Sequence, residues 1–490
     1  MKKYIAAIDE GTTSARAVLY EIAKHKIIKS KSVSISQIYP EPSYVEEDAN
    51  EIYSAALSSL VEIIEYADSA EEIAGIGITN QRETVVAWDK KTGKPLYNAI
   101  VWQCRRTADY CEKLGEEHGE EIKEKTGLIV DSYFSASKIK WLIDNVPEVK
   151  AHLNSGNLCV GTMDTFLIYK LTNGKSFVTD CTNASRTMLY NIKTLRWDKD
   201  LLDIFGIPES ILPRVIGCAE KAGDFTYNGK IIPIAGIAGD QQAALFGQCC
   251  FAEGSSKITY GTGLFMLYNI GGKPLKSKHG LLTTIAYSVG GKTVYAFEGS
   301  VFNAGSSIQW LRDNLGFFSS SAESEALALS VPDSGGVYMV PAFTGLGAPY
   351  WNSNARGIIT GLTRGVTKAH ITRATLEAMA YSAKDLADVM ELDSGIALKE
   401  IRSDGGASVN NFLMQFQADL LNVIINRPKE RESTSLGAVY LCGIASGSFE
   451  FEEVEKLRET DKKFIPDCNR KKYDELYRGW KNAVMRCING

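Results

Sequence analysis

The chain has 490 residues, of which 44% are hydrophobic and 23% are charged, and its formal net charge is −5. This length exceeds one ordinary hydrophobic core, so we expect about two globular domains. The negative charge, without a long lysine or arginine run, argues against nucleic acid or an anionic membrane as the main partner. No apolar run reaches membrane-spanning length, and Asp9 and Glu10 end the N-terminal apolar segment too early for a signal peptide.

Residues 3–20 predict two strands joined by a tight turn, because apolar runs flank a glycine and a group of short polar residues. Amides and hydroxyl groups in such a turn donate to phosphate oxygens, an arginine pairs with them, and a carboxylate at the strand end binds Mg²⁺. An ordinary hairpin with a polar turn explains the pattern about as well, although the combination favours the phosphate site. The residues concerned are Asp9, Gly11, Thr12, Thr13, Ser14 and Arg16.

The next elements alternate between helix and strand. The spacing of apolar residues predicts a helix within residues 46–66, then strands at 73–78, 85–88 and 99–102, and a helix that opens at Gln103. The alternation continues to the C-terminus, which is typical of an α/β protein.

Arg82 and Glu83 form a polar cluster beyond the strand at 73–78, where ligand sites of α/β proteins form. Their donors and acceptors suit the neighbouring hydroxyl groups of a polyol, and Trp102 and Tyr133 offer flat apolar walls for its carbon atoms. The alternatives are a weak surface salt bridge for the pair and core packing for the two aromatic rings.

Ten cysteines are spread along the chain without a Cys-x-x-Cys pair, and only Cys249 and Cys250 are adjacent. This spacing indicates neither a disulfide framework nor a zinc site, so we expect buried thiols and a cytoplasmic location. The five histidines lie apart, outside any catalytic motif. If the protein is an enzyme, its expected proton acceptor is therefore a carboxylate.

The middle of the chain carries such a carboxylate. Residues 231–239 predict an apolar strand with spaced glycines that runs into Asp240 at the start of a helix. A reacting group has room beside a glycine there, although capping the helix is the ordinary role of an aspartate at that position.

Residues 257–266 repeat the strand, turn and strand of the N-terminus, which suggests a duplicated unit with a ligand between the copies. Further on, Asp404 and two glycines precede a predicted helix. A base or ribose fits against the bare backbone of such a turn, and a plain turn before a helix explains the pattern equally well.

These motifs resemble the FGGY carbohydrate kinases, within the actin-like ATPase superfold, and in particular their glycerol-specific subgroup. The resemblance extends from about residue 4 to about residue 485. It is carried by residues 9–14, 79–84, 98–106, 183–188, 239–247, 260–263, 345–351 and 404–406, and by two family signatures at 133–145 and 357–377.

The resemblance implies an α/β fold with two actin-like (ribonuclease H-like) domains around a central cleft. Residues 1–247 would form the N-terminal domain, with the polyol and phosphate sites and the catalytic aspartate. Residues 248–490 would form the C-terminal, nucleotide-binding domain. The family also implies ATP and Mg²⁺, a small-molecule substrate, and a homo-oligomer that is a dimer or a tetramer.

The family further implies roles for the matched residues. Asp240 would be the general base, and Asp9 would organise Mg²⁺, with Asp240 as a second metal ligand. Glycerol would be bound by Arg82, Glu83, Tyr133, Asp240 and Gln241, with Trp102 and Phe265 as apolar walls. The nucleotide would be bound by Thr12, Thr13, Ser14, Arg16, Thr262, Gly305, Gln309, Gly406 and Asn410.

The implied activity is in-line phosphorylation of glycerol by ATP to sn-glycerol 3-phosphate. Two alternatives stay open: a related kinase for a pentulose or other polyol, and a non-enzymatic, actin-like nucleotide switch. The sequence departs from many family members at Glu10, where they carry Gln, which bears on metal or phosphate affinity. The short loop 224–230 lacks a glycine-rich anion site and a histidine, which argues against sugar-phosphate inhibition and histidine phosphorylation.

Overall fold

The computed structural model describes residues 2–67, 69–467 and 469–490. Its two largest sheets come from different halves of the chain: six strands between residues 4 and 239, and seven between residues 255 and 464. Helices connect and cover these strands, so the α/β class predicted from the sequence is confirmed. The division into domains of residues 1–247 and 248–490 stays a prediction.

In the first half the strands are β1 Tyr4–Gly11, β2 Ser14–Glu21, β3 Lys26–Ser34, β4 Gln37–Ile38, β5 Glu46–Glu47, β6 Ile73–Asn80, β7 Val85–Asp89, β8 Ala99–Ile100, β9 Leu158–Thr162, β10 Val178–Asp180, β11 Tyr190–Asn191, β12 Arg196–Trp197, β13 Arg214–Ile216, β14 Lys221–Tyr227 and β15 Lys230–Gly239. The helices are α1 Ala49–Tyr66, α2 Ala108–Thr126, α3 Ser135–Asn145, α4 Pro147–Asn154, α5 Met163–Leu171, α6 Cys181–Ala184, α7 Lys199–Phe205 and α8 Asp240–Gly247. Short 3₁₀ turns occupy Ile22–Lys24, Ala70–Glu72 and Glu209–Ile211.

In the second half the strands are β16 Ser255–Tyr260, β17 Leu264–Gly271, β18 Leu282–Val289, β19 Lys292–Val301, β20 Tyr338–Val340, β21 Ile358–Thr360, β22 Glu400–Gly405, β23 Ile424–Pro428 and β24 Thr460–Phe464. The helices are α9 Gly305–Asp313, α10 Glu323–Leu329, α11 Lys368–Ser394, α12 Asn411–Leu421, α13 Ser433–Ala445, α14 Phe451–Leu457 and α15 Arg470–Asn489. A 3₁₀ turn, Gly406–Val409, joins β22 to α12.

The first sheet has the strand order β14-β15-β6-β1-β2-β3. Its central strands β15, β6 and β1 are parallel, so their carboxyl ends lie along one edge. In the register of these strands Glu10 is opposite Asn80, and Asn80 is opposite Gly239. The residues that follow the three strands therefore share one edge of the sheet.

The second sheet has the order β18-β19-β17-β16-β22-β23-β24. Its hairpin β16–β17 places Tyr260 opposite Leu264, and β16 runs parallel to β22 with Tyr260 opposite Gly405. The first sheet has the same arrangement, since β1 forms a hairpin with β2 and runs parallel to β6. The repeated hairpin predicted from the sequence is thus present in both halves.

Helix α13 of the second half packs across β1, β6 and β15 of the first sheet. Glycines permit this approach: a Cβ atom at Gly77 would overlap the carbonyl oxygen of Ala438, and one at Gly236 would overlap the backbone nitrogen of Cys442. The two halves of the chain are therefore joined by a helix seated directly on the sheet that carries Asp9.

The sequence prediction was wrong around residue 103, because the helix expected to open at Gln103 begins at Ala108. The backbone amide of Val101 donates to the carbonyl of Val45 at 3.1 Å, and that of Arg105 donates to the carbonyl of Ser43 at 2.8 Å. These tertiary hydrogen bonds hold the segment in a non-helical path.

Nine cysteines lie within the described residues, and all of them are free and buried, as expected. Cys468 lies outside the described residues. Within the described ranges, no helix combines the length and the apolar character needed to cross a membrane.

Candidate active site

Arg82 is buried just beyond β6 and contacts acids from distant parts of the chain. Its Nε lies 3.1 Å from Asp240 Oδ1, while Nη1 and Nη2 donate to the Glu298 carboxylate at 2.6 and 3.0 Å. Burial alone would lower the pKa of Arg82, but Glu298 and Glu83 raise it well above its ordinary value. Arg82 is therefore a permanent buried cation at the edge of the first sheet.

Glu83 faces two arginines. Its Oε1 accepts from Arg186 Nε at 2.6 Å and lies 3.9 Å from Arg82 Nε. Glu83 also has a φ of 62°, in the left-handed region that non-glycine residues rarely adopt. A strained backbone beside a buried charge network is typical of a functional site rather than of a surface salt bridge.

Two aromatic side chains stand beside this network. Arg82 Nη2 lies 3.4 Å from the Tyr133 hydroxyl, and the rings of Tyr133 and Trp102 meet edge to face with centroids 5.7 Å apart. Trp102 Nε1 donates to Thr12 Oγ1 at 3.0 Å. The structure thus links the residues predicted for a polyol to the turn predicted for phosphate.

Asp240 is the first residue of α8 rather than its cap, because Gly239 holds the cap position. Its Oδ1 accepts from the backbone nitrogen of Gln241 at 2.7 Å, and its Oδ2 accepts from Gln241 Nε2 at 3.2 Å. The Asp240 side chain is 33% exposed, whereas that of Arg82 is 2% exposed. Asp240 therefore presents a carboxylate that an incoming molecule can reach.

Asp9 and Arg16 lie opposite each other in the hairpin β1–β2. Asp9 Oδ2 accepts from Ser435 Oγ of α13 at 2.8 Å, and Arg16 forms an ion pair with Glu432 just before α13. Burial raises the pKa of Asp9 to about 6, against the effects of Ser435 and Arg16. Both predicted phosphate-side residues are thus held by contacts from the second half.

Three predicted nucleotide-site segments meet at one end of the second sheet. The backbone nitrogen of Gly305 donates to the carbonyl of Gly261 at 3.1 Å, and that of Ser306 donates to the carbonyl of Thr262. Gly405, directly before Gly406, lies opposite Tyr260. Gln309 lies in α9, which begins at Gly305.

Two of the predicted site residues, Asn410 for the nucleotide and Phe265 for the polyol, have different surroundings from the residues described above. Asn410 Oδ1 accepts from the backbone nitrogen of Leu413 at 2.9 Å and so caps α12, while its Nδ2 donates to Ser324 Oγ at 3.5 Å. Phe265 lies in β17, and no ring contact among the described residues joins it to Tyr133 or Trp102. It shares a face of the second sheet with Glu298, since Phe265 pairs with Ser300 and Leu267 pairs with Glu298.

Comparison with known proteins gives the family. Residues 4–247 match the family model of the FGGY family of carbohydrate kinases, N-terminal domain, and residues 256–446 match that of its C-terminal domain. This chain belongs to the FGGY carbohydrate kinases. The resemblance predicted from its motifs is confirmed.

Relatives of this FGGY kinase are similar over their whole length. Glycerol kinases of Bacillus velezensis and Bacillus subtilis are each 54% identical, covering 99% and 100% of this chain and 99% of each relative. Among solved structures, Plasmodium falciparum glycerol kinase with ADP is 38% identical with a TM-score of 0.93, and covers 99% of this chain and 98% of that one. A ligand-bound xylulose kinase from Lactobacillus acidophilus is 25% identical, with a TM-score of 0.88 and 99% coverage of both chains.

Sequence analysis missed two charged residues of this FGGY kinase, Lys257 and Glu298. Lys257 is buried, and its Nζ donates to Gln241 Oε1 and to Thr259 Oγ1. Burial lowers the pKa of Lys257 to about 8, although Asp404 and Asp240 act against this. The available signal was a single charge in an otherwise uncharged stretch, at Lys257 within β16 and at Glu298 within residues 293–301 of β19.

Glu10, the departure from many family members, is buried beside a second acid. Gln81 Nε2 donates to Glu10 Oε1 and to Glu47 Oε2, both at 2.8 Å. Burial, reinforced by Glu47, raises the pKa of Glu10 well above its ordinary value, and burial raises that of Glu47 to about 7. Glu10 therefore belongs to a pair of carboxyl groups that are bridged by the side-chain amide of Gln81, the residue before Arg82.

This pair makes the stability of the protein depend on pH. The folded state keeps the proton of Glu47 up to about pH 7, while the unfolded chain releases it near its ordinary value, so the folded state binds more protons between these values. Stability from this group is full at low pH and is lost as pH rises through about 7. We expect Glu47→Gln to remove a decline of about 3 kcal/mol in the free energy of unfolding between about pH 5 and 8.

The measurement is urea unfolding of the wild type and Glu47→Gln across that pH range, with Glu116→Gln as the control. Glu116 is exposed on α2 and tests the effect of removing one acid from the surface. A difference between wild type and Glu47→Gln that stays constant with pH would show that Glu47 titrates alike in both states.

Proposed function

We propose that this FGGY kinase transfers the γ-phosphoryl group of ATP to a terminal hydroxyl group of glycerol, giving sn-glycerol 3-phosphate. Full-length relatives at 52–54% identity are named glycerol kinases, and one solved glycerol kinase contains ADP. The observation that carries the proposal is the 3.1 Å contact between Arg82 and the accessible Asp240, beside the Tyr133 and Trp102 rings.

The polyol site pairs donors with acceptors at close range. The Arg82 guanidinium and the Tyr133 hydroxyl supply donors, and the carboxylates of Glu83 and Asp240 supply acceptors for neighbouring hydroxyl groups. Trp102 and Phe265 serve as apolar walls for the carbon atoms, and Gln241 completes the set beside Asp240. A small triol supplies hydroxyl groups for these donors and acceptors.

Asp240 acts as the general base, taking the proton of the terminal hydroxyl group as this group attacks phosphorus. Catalysis of phosphoryl transfer comes mainly from positioning the reactants and stabilising the charge on the phosphates. A carboxylate, although a weak base, is therefore sufficient as the general base. Arg82 Nε and the Gln241 backbone amide orient the Asp240 carboxylate. Water competes with the polyol as an acceptor, so closure of the two halves around both substrates supports the reaction.

The nucleotide site joins the two hairpins. Amides and hydroxyl groups of the first turn donate to phosphate oxygens, and Arg16 supplies a charge that it otherwise shares with Glu432. The turns of the second sheet supply backbone surface for the rest of the nucleotide. The residues proposed are Thr12, Thr13, Ser14, Arg16, Thr262, Gly305, Gln309, Gly406 and Asn410.

The residues present suit Mg²⁺, because Asp9 and Asp240 offer carboxylate oxygens, which this hard cation prefers. Asp9 is the stronger candidate ligand, since one of its oxygens accepts from Ser435 while Asp240 already accepts from Arg82 and Gln241. When bound, Mg²⁺ neutralises the charge that develops on the phosphates.

Three further features belong to the proposal. Domains of residues 1–247 and 248–490 are supported by the family matches at 4–247 and 256–446. The homo-oligomer, a dimer or a tetramer, rests on the family resemblance. A cytoplasmic location is supported by cysteine usage, since the nine described cysteines are free.

The proposal is tested by ADP release measured with ATP and Mg²⁺ and with glycerol, xylulose or no acceptor. We expect the highest kcat/KM with glycerol, and release without an acceptor slower by orders of magnitude. A preference for xylulose would overturn glycerol as the substrate. Nucleotide turnover that ignores every polyol would overturn the kinase assignment in favour of a nucleotide switch.

A further inference from the structure

We propose that Glu298 is a positioning residue of the polyol site, which holds the Arg82 guanidinium in the orientation that faces Asp240. The inference rests on the proposed function, because it names a residue that tunes glycerol binding at that site. Neither the motifs of the sequence nor the family resemblance pointed to Glu298.

Glu298 binds Arg82 through both carboxylate oxygens. Its Oε2 accepts from Arg82 Nη1 at 2.6 Å, and its Oε1 accepts from Arg82 Nη2 at 3.0 Å. A bidentate pair of this kind fixes the plane of a guanidinium group as well as its position. Because Glu298 takes the two terminal nitrogens, the remaining Nε is directed at Asp240, 3.1 Å away.

Glu298 also fixes Glu83 through a second arginine. Its Oε1 accepts from Arg186 Nη2 at 3.1 Å, and Arg186 Nε donates to Glu83 at 2.6 Å. Burial alone would raise the pKa of Glu298, but Arg186 and Arg82 lower it to about 2, so Glu298 is a permanent anion. Without it, Glu83 would be the only fully buried acid among the described residues that contacts the two buried arginines.

The position of Glu298 in the fold couples the two halves. Glu298 lies in β19 of the second sheet, whereas Arg82, Arg186 and Glu83 lie in the first half. Lys257 shares the same face of the second sheet, since Lys257 and Glu298 both pair with Leu267, and it contacts Gln241. The polyol site is therefore fully oriented only when the second sheet is docked against the first half.

A purely structural ion pair would give a different result from a positioning residue. Loss of a structural pair lowers stability and the amount of active enzyme, but it leaves KM for glycerol unchanged in the molecules that fold. Loss of a positioning contact misaligns Arg82, so it weakens glycerol binding, whereas the proposed nucleotide residues have no hydrogen bond or ion pair with Arg82 among the described contacts. The change in KM for glycerol, compared with the change in KM for ATP, separates these two cases.

The test compares Glu298→Gln with the wild type and with Glu377→Gln. Glu377 is a matched control, because it is buried and pairs with Arg373 at 2.9 Å within α11, outside the polyol group. We expect Glu298→Gln to lower kcat/KM for glycerol on the order of 10²-fold through KM, since misplacement by about 1 Å has effects of this size. KM for ATP should stay within about threefold, and Glu377→Gln should leave both KM values unchanged.

Glu298→Asp keeps the negative charge but shortens the side chain. It is the variant that tests the inference if Glu298→Gln does not fold. We expect it to raise KM for glycerol as well, because the shorter carboxylate cannot hold both arginines. A wild-type KM for glycerol in either folded variant overturns the inference. A wild type that does not phosphorylate glycerol in the same assay overturns the proposed function instead.

Discussion

Replacing Asp240 by asparagine is expected to lower kcat for glycerol phosphorylation by about 10²–10⁴-fold, the usual contribution of a general base. Asparagine keeps the size of the side chain and an oxygen that accepts from Arg82 Nε, so the polyol group stays assembled. What is lost is the carboxylate that takes the proton of the attacking hydroxyl group.

The measurement combines steady-state kinetics with calorimetric titration of nucleotide. We expect ATP affinity measured without Mg²⁺, for which Asp240 is a proposed ligand, to change by less than about threefold, because the nucleotide turns lie on other elements. Asp200→Asn is the control, since Asp200 is also an aspartate in the first turn of a helix and its side chain is 68% exposed. Unchanged turnover in Asp240→Asn would remove Asp240 from the role of base.

Much of the part of the candidate site that comes from the first half of the chain was predictable, because its residues lie at or beyond the ends of apolar strand segments. Asp9, Arg82 and Asp240 each stand at or beyond the end of an apolar segment, and parallel strands bring such ends to one edge. This prediction needs only the local spacing of apolar residues, which can be read directly from the sequence. The hairpin at residue 257 was predictable for the same reason.

The missed residues depend on contacts between distant parts of the chain. Glu298 is separated from Arg82 by 216 positions, and only the docking of the second sheet makes them neighbours. Local spacing did not give the start of α2 either, because the amides of Val101 and Arg105 donate to residues 45 and 43. Such tertiary hydrogen bonds override helix propensity without leaving a trace in the local pattern.

A second substitution, Gly437→Ala, tests the packing of the helix that begins at Asp240. We expect it to lower the free energy of unfolding by about 1–3 kcal/mol or more. Gly437 lies inside α13, where a Cβ atom would overlap the backbone carbonyl of Ala243 in α8. In turn, a Cβ atom at Gly247 of α8 would overlap the carbonyl oxygen of Ser433 in α13. Neither obstacle is the flexible end of a side chain, so the helices must separate.

Gly119→Ala provides the matched control. Gly119 lies inside α2, and a Cβ atom there would meet no atom within 4 Å outside its own helix, so alanine is expected to stabilise the protein by roughly 1 kcal/mol. Opposite signs for the two substitutions in urea unfolding would separate the packing effect from helix propensity. Equal effects would contradict the close crossing of α8 and α13.

The crossing also carries a functional consequence. Helix α8 begins at Asp240, and the first turn of α13 holds Asp9 through Ser435. Separation of the two helices changes the position of the proposed base relative to the proposed metal ligand. We therefore expect Gly437→Ala to lower kcat even in protein that remains folded, whereas Gly119→Ala should retain wild-type turnover. A folded Gly437→Ala variant with wild-type kcat would show that the crossing supports stability alone.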